Sequence, residues 1–531
     1  MVRTLLFHGE NTGSTPVKNN VYMDAIILKS FIPEIFFSMC ILFQLIFNVK
    51  LINNLSFNFP IVIKEAFIQT IFILFCVFLL LSNLKIEGFF SNFILLNDSG
   101  GNVIKMMIVF SCLFILVIIT RGILVQELNF FEFFTIFLFS TFSLFILISA
   151  YDLISAYLAI EMQALCFYIL SSFRRNSAFS TEAGLKYFIA GSFVSSIFLL
   201  GSCLIYGALG TLNFHNLNII LSFSFDESYI YLKSMVLLGG LFIFITLFFK
   251  VAAAPFHFWS PDIYEGSPLS STVVFSILPK VAIFNFFIKC SCFLSLLFYE
   301  FQYLFLIISI ISISVGTLLT LRQKRIKRLF IYSSIAQVGF IIAALSSCSL
   351  DGLVSIYFFL FIYILTSILV WNFITQFYVA QQDVNKQTNG TLNPVFVSSF
   401  SNFFTINKIS SFSFLATLFS IAGIPPFCGF LAKILVLLSL VNANFFYTSF
   451  TIVIISSISA FYYIRIVKAF FFETKDVKIK NKTTQTTFLS SFLDFQAYIA
   501  AICTMLLIFF FFFPGTLILL SHYAILNSFG A

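Results

Sequence analysis

Fourteen long apolar runs, separated by short polar or basic segments, set the pattern of this chain. They lie at about 31–49, 61–82, 103–119, 132–150, 153–172, 184–208 and 235–258. The second set follows at about 270–294, 301–321, 329–347, 353–377, 409–441, 446–471 and 493–519. A helix rises ~1.5 Å per residue, so roughly 20 residues cross the hydrocarbon layer of a bilayer. Each run therefore reads as a membrane-spanning helix. The fold class is an all-α polytopic membrane protein with about fourteen transmembrane helices. The alternating polarity that marks an outer-membrane barrel is absent.

Composition removes the alternatives. Of 531 residues, 60% are hydrophobic and only 9% charged, against roughly 25% charged in a soluble domain. A water-facing globule and a disordered chain are both excluded. The 80 phenylalanines exceed what a lipid-facing surface requires, and the excess points to T-rich codons of an AT-rich organellar genome. Ten cysteines without CxxC spacing and only four histidines give no pattern for zinc, haem or iron–sulfur ligation. There is no Walker loop or dinucleotide fingerprint either, so no nucleotide site is expected. Nor does the polar N-terminal stretch show a cleavable secretory signal.

The net charge of +8 would suggest nucleic acid in a soluble protein; here it reads as topology, with no nucleic-acid partner. Odd-numbered loops carry Lys50, Lys64, Arg121, Arg174, Arg175, Arg322, Lys324, Arg325, Lys327, Arg328, Lys386, Lys408, Lys468, Lys475, Lys478, Lys480 and Lys482. Even-numbered loops hold Lys85, Lys105, Lys233 and Lys289. The positive-inside rule puts the odd loops on the matrix or cytoplasmic side and both termini on the other.

Four charges fall inside apolar runs: Glu161, Lys250, Lys280 and Lys433. A charge near mid-membrane costs roughly 2.5–3.5 kcal/mol on insertion scales and marks function by default. A structural ion pair or a lysine snorkelling to the interface is the alternative for each. One carboxylate and three amines together suit a proton relay, because burial favours the neutral form of an amine and a nearby carboxylate favours the charged form. Two runs are also interrupted beside a lysine, by Pro255 after Lys250 and by Pro425 and Pro426 before Lys433. Breaks at corresponding places in two halves point to an ion site in transporters built from inverted repeats, although prolines also kink ordinary packed helices.

Weaker candidates surround these. Lys186 either snorkels to the positive side or extends the relay, and Glu34 is interfacial or a second embedded acid. His257 and Trp259 fit an interfacial belt. Asp262 and Glu265 fit a polar loop that is solvated or contacts a subunit, and the basic run RQKRIKR fits a positive-side loop alone.

The stretches ISAYDLISAYLAIEMQALCFYIL, STEAGLKYF, FFKVAAAPFHFWSPDIYEGSP, KRLFIYSSIAQVGF, AGIPPFCGFLAK and FYYIRIVKAFFFE are closely similar to the NADH dehydrogenase subunit 2 family of respiratory complex I, in the family's order. LAIEMQALCFYIL and EAGLKYF resemble the mitochondrial version more than the plastid one. The resemblance implies an antiporter-like fold with two inverted five-helix repeats, helices 4–8 and 9–13, and discontinuous helices 7 and 12. The implied division is an N-terminal polar extension (1–30), helices 1–3 (31–130), the first repeat (131–295), the second repeat (296–472), and a basic loop with the last helix (473–531).

By motif position, Glu161 would pair with Lys250, Lys280 would be the central lysine of helix 8, and Lys433 the exit-side residue of helix 12. The resemblance implies proton translocation across the mitochondrial inner membrane, with both termini on the intermembrane-space side. It places NADH, FMN, iron–sulfur clusters and ubiquinone in other subunits, with no cofactor in this chain. Expected partners are other membrane-arm subunits, including neighbouring antiporter-like ones, and anionic lipids such as cardiolipin at the basic loops. One departure is Gln337, where family members commonly carry histidine; an amide holds water but carries no proton. A stand-alone cation/proton antiporter and a purely structural subunit are the competing classes.

Overall fold

The structure, a computed structural model, describes residues 29–52, 60–83, 88–90, 94–126, 132–222, 230–293, 295–385, 396–397, 408–471 and 487–530. Nearly all of the polar extension and the basic loop at 473–486 lie outside the described residues. The chain opens with α1 (Ile32–Ile52), α2 (Pro60–Ser82), α3 (Ser99–Val125), α4 (Glu132–Ser149), α5 (Leu153–Ser171) and α6 (Ala178–Leu209). A short α7 (Phe214–Ser222) leads to α8 (Ile230–Val251), α9 (Trp259–Gly266) and α10 (Leu269–Phe293). Then come α11 (Ser295–Glu300), α12 (Gln302–Arg322), α13 (Ile326–Ser346), α14 (Leu350–Asn385), α15 (Lys408–Ala422) and α16 (Cys428–Asn442). The described chain closes with α17 (Phe446–Phe471), α18 (Thr487–Phe512) and α19 (Gly515–Gly530).

Among the described residues, 12 helices are long and apolar enough to cross a membrane. Shorter apolar helices add α1 and the pair α15 and α16. Spans 7 and 12 are both broken as expected, into α8 with α9 and α15 with α16.

Three expectations are corrected. The last run, 493–519, is two helices, α18 and α19, divided at Pro514; both flanks are apolar, so hydropathy runs straight through a break that the missing proline N–H imposes. A small antiparallel hairpin, β1 (Gly88–Phe90) with β2 (Leu95–Asn97), precedes α3 within the otherwise helical fold. Finally, Lys105, Arg121 and Lys289 are not loop residues. They sit inside α3 and α10 and are 0%, 2% and 3% exposed. Helix α3 begins at Ser99 rather than near 103, with Ser99, Gly100 and Gly101 buried as its first residues.

Packing reveals the internal repeat. Helix α4 packs on α5, α5 on α6, α6 on α8 and α9, and α10 on α4 and α8. In the second half α12 packs on α13, α13 on α14, α14 on α15 and α16, and α17 on α12 and α15. These are the same neighbours displaced by one set of five spans. Five is odd, so the second set enters the membrane from the opposite side, and the repeats are inverted. Helix α10 is buried along its whole span and touches α3, α4 and α14, while α14 is nearly as enclosed. The core therefore lies on the seam between the two repeats.

Candidate functional site

Glu161 lies mid-way along α5, whose start is fixed by Asp152, the side chain of which accepts from the Ile154 N–H. The carboxylate is half-buried, and its Oε1 is buried with no hydrogen-bonding partner among the described residues. Tyr157 and Tyr168 stand within its electrostatic reach. Tyr168 in turn presses against Gly191 of α6; a Cβ there would fall 1.9 Å from the phenolic oxygen, so only glycine fits. The ring of Tyr168 meets that of Tyr187 edge-on at 5.0 Å, and Tyr187 stacks on Trp259 of α9 at 5.2 Å.

Trp259 then closes the circuit to Lys250. Helix α8 ends when the Ala252 N–H donates to Phe249 O and the Ala253 N–H to Phe248 O, with Ala252 in the left-handed region at φ 64. This is the Schellman arrangement. The indole N–H of Trp259 also donates to Phe249 O at 3.0 Å. Lys250, one residue on, is spared that task. It lies within electrostatic reach of Glu161 without direct contact.

Lys280 sits one residue after Pro279 in α10 and is 2% exposed. Proline withdraws the donor that would have bonded Phe275 O, and the Tyr264 hydroxyl from α9 donates to that carbonyl instead, at 3.1 Å. Tyr363 of α14 donates to Ser276 O at 2.6 Å, and its ring lies 5.3 Å from the Lys280 ammonium. The ammonium donates to Ser334 Oγ on α13 at 3.0 Å. Ser334 lines a small cavity of mixed character, with Gln337, Tyr363 and Thr366 on one hand and Phe330, Val370 and Trp371 on the other.

Gln337 and Phe340 follow Ser334 on α13 at intervals of three residues, so the three side chains wind about a third of a turn around the helix. The Phe340 ring lies 5.2 Å from the Lys433 ammonium. Lys433, on α16, reaches back across its own break and donates to Ala422 O, the last carbonyl of α15, at 2.8 Å. That break is again of Schellman type: the Gly423 N–H donates to Ser420 O and the Ile424 N–H to Phe419 O. Gly423 holds φ +84, and a Cβ there would lie 2.9 Å from the lysine Cδ.

The structure thus places Glu161 within electrostatic reach of Lys250, and sets Lys280 and Lys433 against different residues of α13, Ser334 and Phe340. It does not bring Lys186 to them. That lysine pairs with Glu182, one turn earlier, at 2.6 Å on the exposed face of α6. His257 is buried rather than interfacial. Asp262 and Glu265 belong to α9, and the basic run is more than a loop. Arg325 bonds Glu265 at 2.5 Å, while Arg328 bonds both Glu265 and Asp262, the latter at 3.0 Å. Sequence reasoning missed Ser334, whose only signal is its place in α13, and the buried pair of Glu34 with Lys105.

Residues 150–461 match the family model described as NADH:quinone oxidoreductase/Mrp antiporter, TM. The chain is 33% identical over 399 residues to NADH-ubiquinone oxidoreductase chain 2 of Marchantia polymorpha, covering 75% of this chain and 77% of the relative. It is 30% identical over 495 residues to NADH-quinone oxidoreductase subunit N of Pelagibacter ubique, covering 92% and 98%. Its fold resembles a chain of respiratory complex I from Thermus thermophilus with a TM-score of 0.72 at 21% identity, covering 92% of this chain and 98% of that one. It also resembles a chain of the Mrp complex from Dietzia, with a TM-score of 0.77 at 16% identity, covering 94% and 98%.

Proposed function

The chain belongs to the NADH:quinone oxidoreductase/Mrp antiporter family, on its NADH dehydrogenase subunit 2/subunit N branch, and we propose that it is a proton-translocating membrane-arm subunit of a mitochondrial NADH:ubiquinone oxidoreductase. The relay is Glu161, Lys250, Lys280 and Lys433. The observation that carries this reading is the placing of two buried ammonium groups against one helix, Lys280 on Ser334 and Lys433 over Phe340 of α13, with Gln337 and a small cavity beside Ser334. A buried amine gains or loses its proton according to the charges beside it. When Glu161 turns toward Lys250 it stabilises that ammonium; when it turns away, the positive charge is better held at Lys280. Gln337 orders water in the cavity and leaves the proton to the lysines on either side.

The organellar setting is supported by the phenylalanine excess and by chain 2 relatives from plants, such as that of Oenothera berteroana, 35% identical over 379 residues. In this reading the inner membrane holds the chain with its basic loops in the matrix and both termini in the intermembrane space. NADH, FMN, iron–sulfur clusters and ubiquinone belong to other subunits. Its neighbours are membrane-arm subunits, antiporter-like ones among them, with cardiolipin at the basic face. Division into repeats at 131–295 and 296–472 follows the same reading.

Pumping by the assembled enzyme in vesicles tests the relay. Lys280→Met is expected to lower the protons moved per NADH oxidised, and an unchanged ratio in the intact complex would overturn it. The likeness to the Mrp chain favours a second reading, a cation/proton antiporter. Native electrophoresis separates the two: migration with a very large NADH-oxidising assembly supports the first, and a small independent particle the second.

A further inference from the structure

Among the described residues, one buried acid outside the relay is paired with no cation. Glu34 pairs with Lys105, Asp98 with Lys289, and Glu265 with Arg325 and Arg328. Glu65, in the second turn of α2, is 0% exposed, and its partners are two amides, Gln44 and Asn48 of α1. Gln44 and Asn48 stand one turn apart on α1, as Glu65 and Gln69 do on α2. All four side chains are enclosed where α1 and α2 meet α4. Of the charged groups on the surrounding helices, Glu34 and Lys105 hold each other, while Arg121 of α3 and the exposed Glu132 of α4 make no bond to Glu65. Nor do the thiols of Cys40 on α1 and Cys76 on α2.

The hydrogen bonds of this cluster run in one sense. A backbone carbonyl can only accept, so Gln69 turns its Nε2 to Phe134 O of α4, at 2.7 Å. The same Nε2 lies 3.2 Å from Gln44 Oε1, which therefore accepts. Gln44 is left with its own Nε2 for Glu65 Oε2, at 2.7 Å. One side of the carboxyl thus faces a fixed donor. Asn48, on the other side, is under no such constraint. Its amide reaches both oxygens of Glu65 and meets them with its oxygen or, turned over, with its N–H. An ionised carboxylate enclosed among apolar helices is unfavourable without a counter-charge, and amides supply none. A neutral acid is served completely: its carbonyl oxygen accepts from Gln44, and its O–H donates to Asn48 Oδ1. A merely structural cluster would be as well served by a fourth amide. The carboxyl adds only the capacity to take up and lose a proton.

We infer that Glu65 is a proton-binding site apart from the relay, a carboxylic acid held between Gln44 and Asn48 that gives up its proton as Asn48 turns over. When the proton leaves, the carboxylate keeps the Gln44 N–H, and the Asn48 N–H takes the place of the lost O–H. One proton is released, one amide rotates, and no other bond changes. The site does not depend on the relay reading. It gives α1 and α2, which carry none of the relay residues, a chemistry of their own.

The test heats the complete assembly at mildly acid and at mildly alkaline pH and follows release of this chain on native gels. A carboxyl that is neutral when folded and ionised when unfolded takes stability away as the pH rises. Glu65→Gln removes that loss. Its midpoint is expected to match the wild type on the acid side and to exceed it on the alkaline side. A Glu65→Gln midpoint that does not rise relative to the wild type between the two conditions overturns the proposal. Glu34→Gln, which breaks the pair with Lys105, serves as the contrast and is expected to fall below the wild type at both. Should Glu65→Gln not assemble, wild-type and Asn48→Ala assemblies treated with the lipid-soluble N,N′-dicyclohexylcarbodiimide decide. This reagent reacts with carboxyls that hold a proton. The acid proton moves to a carbodiimide nitrogen, the carboxyl oxygen bonds to the central carbon, and rearrangement leaves an N-acylurea on the residue. Mass spectrometry is expected to find that adduct on Glu65, and its absence from Glu65 in both proteins overturns the proposal.

Discussion

The two broken helices solve one problem in different ways. In each, a Schellman turn ends the first half with a residue in the left-handed region, Ala252 in one and Gly423 in the other. A carbonyl freed near each break finds an extra donor. At the first break the donor is the neutral indole of Trp259, at the second the ammonium of Lys433. A neutral donor leaves Lys250 available to Glu161. A charged donor fixes Lys433 to backbone, where its charge is stabilised by a carbonyl dipole rather than a carboxylate. In the proposed relay, the first break would respond to a change at Glu161, and the second would hold a cation in place.

The sharpest way to break this comparison is to remove both lysines in turn. Lys250→Met and Lys433→Met are each expected to abolish the pumping due to this subunit. Only Lys433→Met also leaves Ala422 O without that donor, which costs about 1–3 kcal/mol. Thermal unfolding of the assembled complex should show the loss for Lys433→Met alone; equal losses would end the distinction. Next in size, Gly423→Val puts a β-branched residue into the left-handed region, at ~1–2 kcal/mol, and displaces the Lys433 stem. Ala252→Gly at the matching position is expected to leave pumping near the wild-type level, because nothing there leans on a lysine.

Glu161→Gln should lower the protons moved per NADH, while Glu265→Gln should lower assembly and leave the ratio intact. Glu265 holds Arg325 and Arg328, so its role is attachment. A fall in ratio for Glu265→Gln would show the two acids acting as one system. The smallest effect belongs to Trp259→Phe, which keeps the stack on Tyr187 and deletes one hydrogen bond. About 1 kcal/mol of local stability is at stake, read as faster amide exchange at Ala252 and Ala253.

Both breaks were legible because proline and a misplaced lysine stand out in an apolar run. The Pro514 break was not, since the runs on its two sides are equally apolar and no charge marks it. The buried pairs of Lys105 and Lys289 escaped for a related reason. A lysine near a helix end reads as interfacial until the partner is known, and Glu34 and Asp98 come from distant parts of the chain. Trp259 reads as a belt residue from sequence because a belt tryptophan and one that caps a distant carbonyl have the same neighbours. Ser334 and the cavity depend on how α10, α13 and α14 meet, which hydropathy does not encode.

Tyr264 gives two of these irregularities a common fate. The hydroxyl that satisfies Phe275 O, orphaned by Pro279, comes from α9, the segment that exists as a separate helix because α8 is broken. Each defect is thus the other's repair. Pro279→Ala would restore the amide donor and make the hydroxyl redundant, while a continuous α8–α9 helix would carry the hydroxyl out of reach. A change at either place bears on the other, so the proline before Lys280 and the break after Lys250 act as a single structural unit.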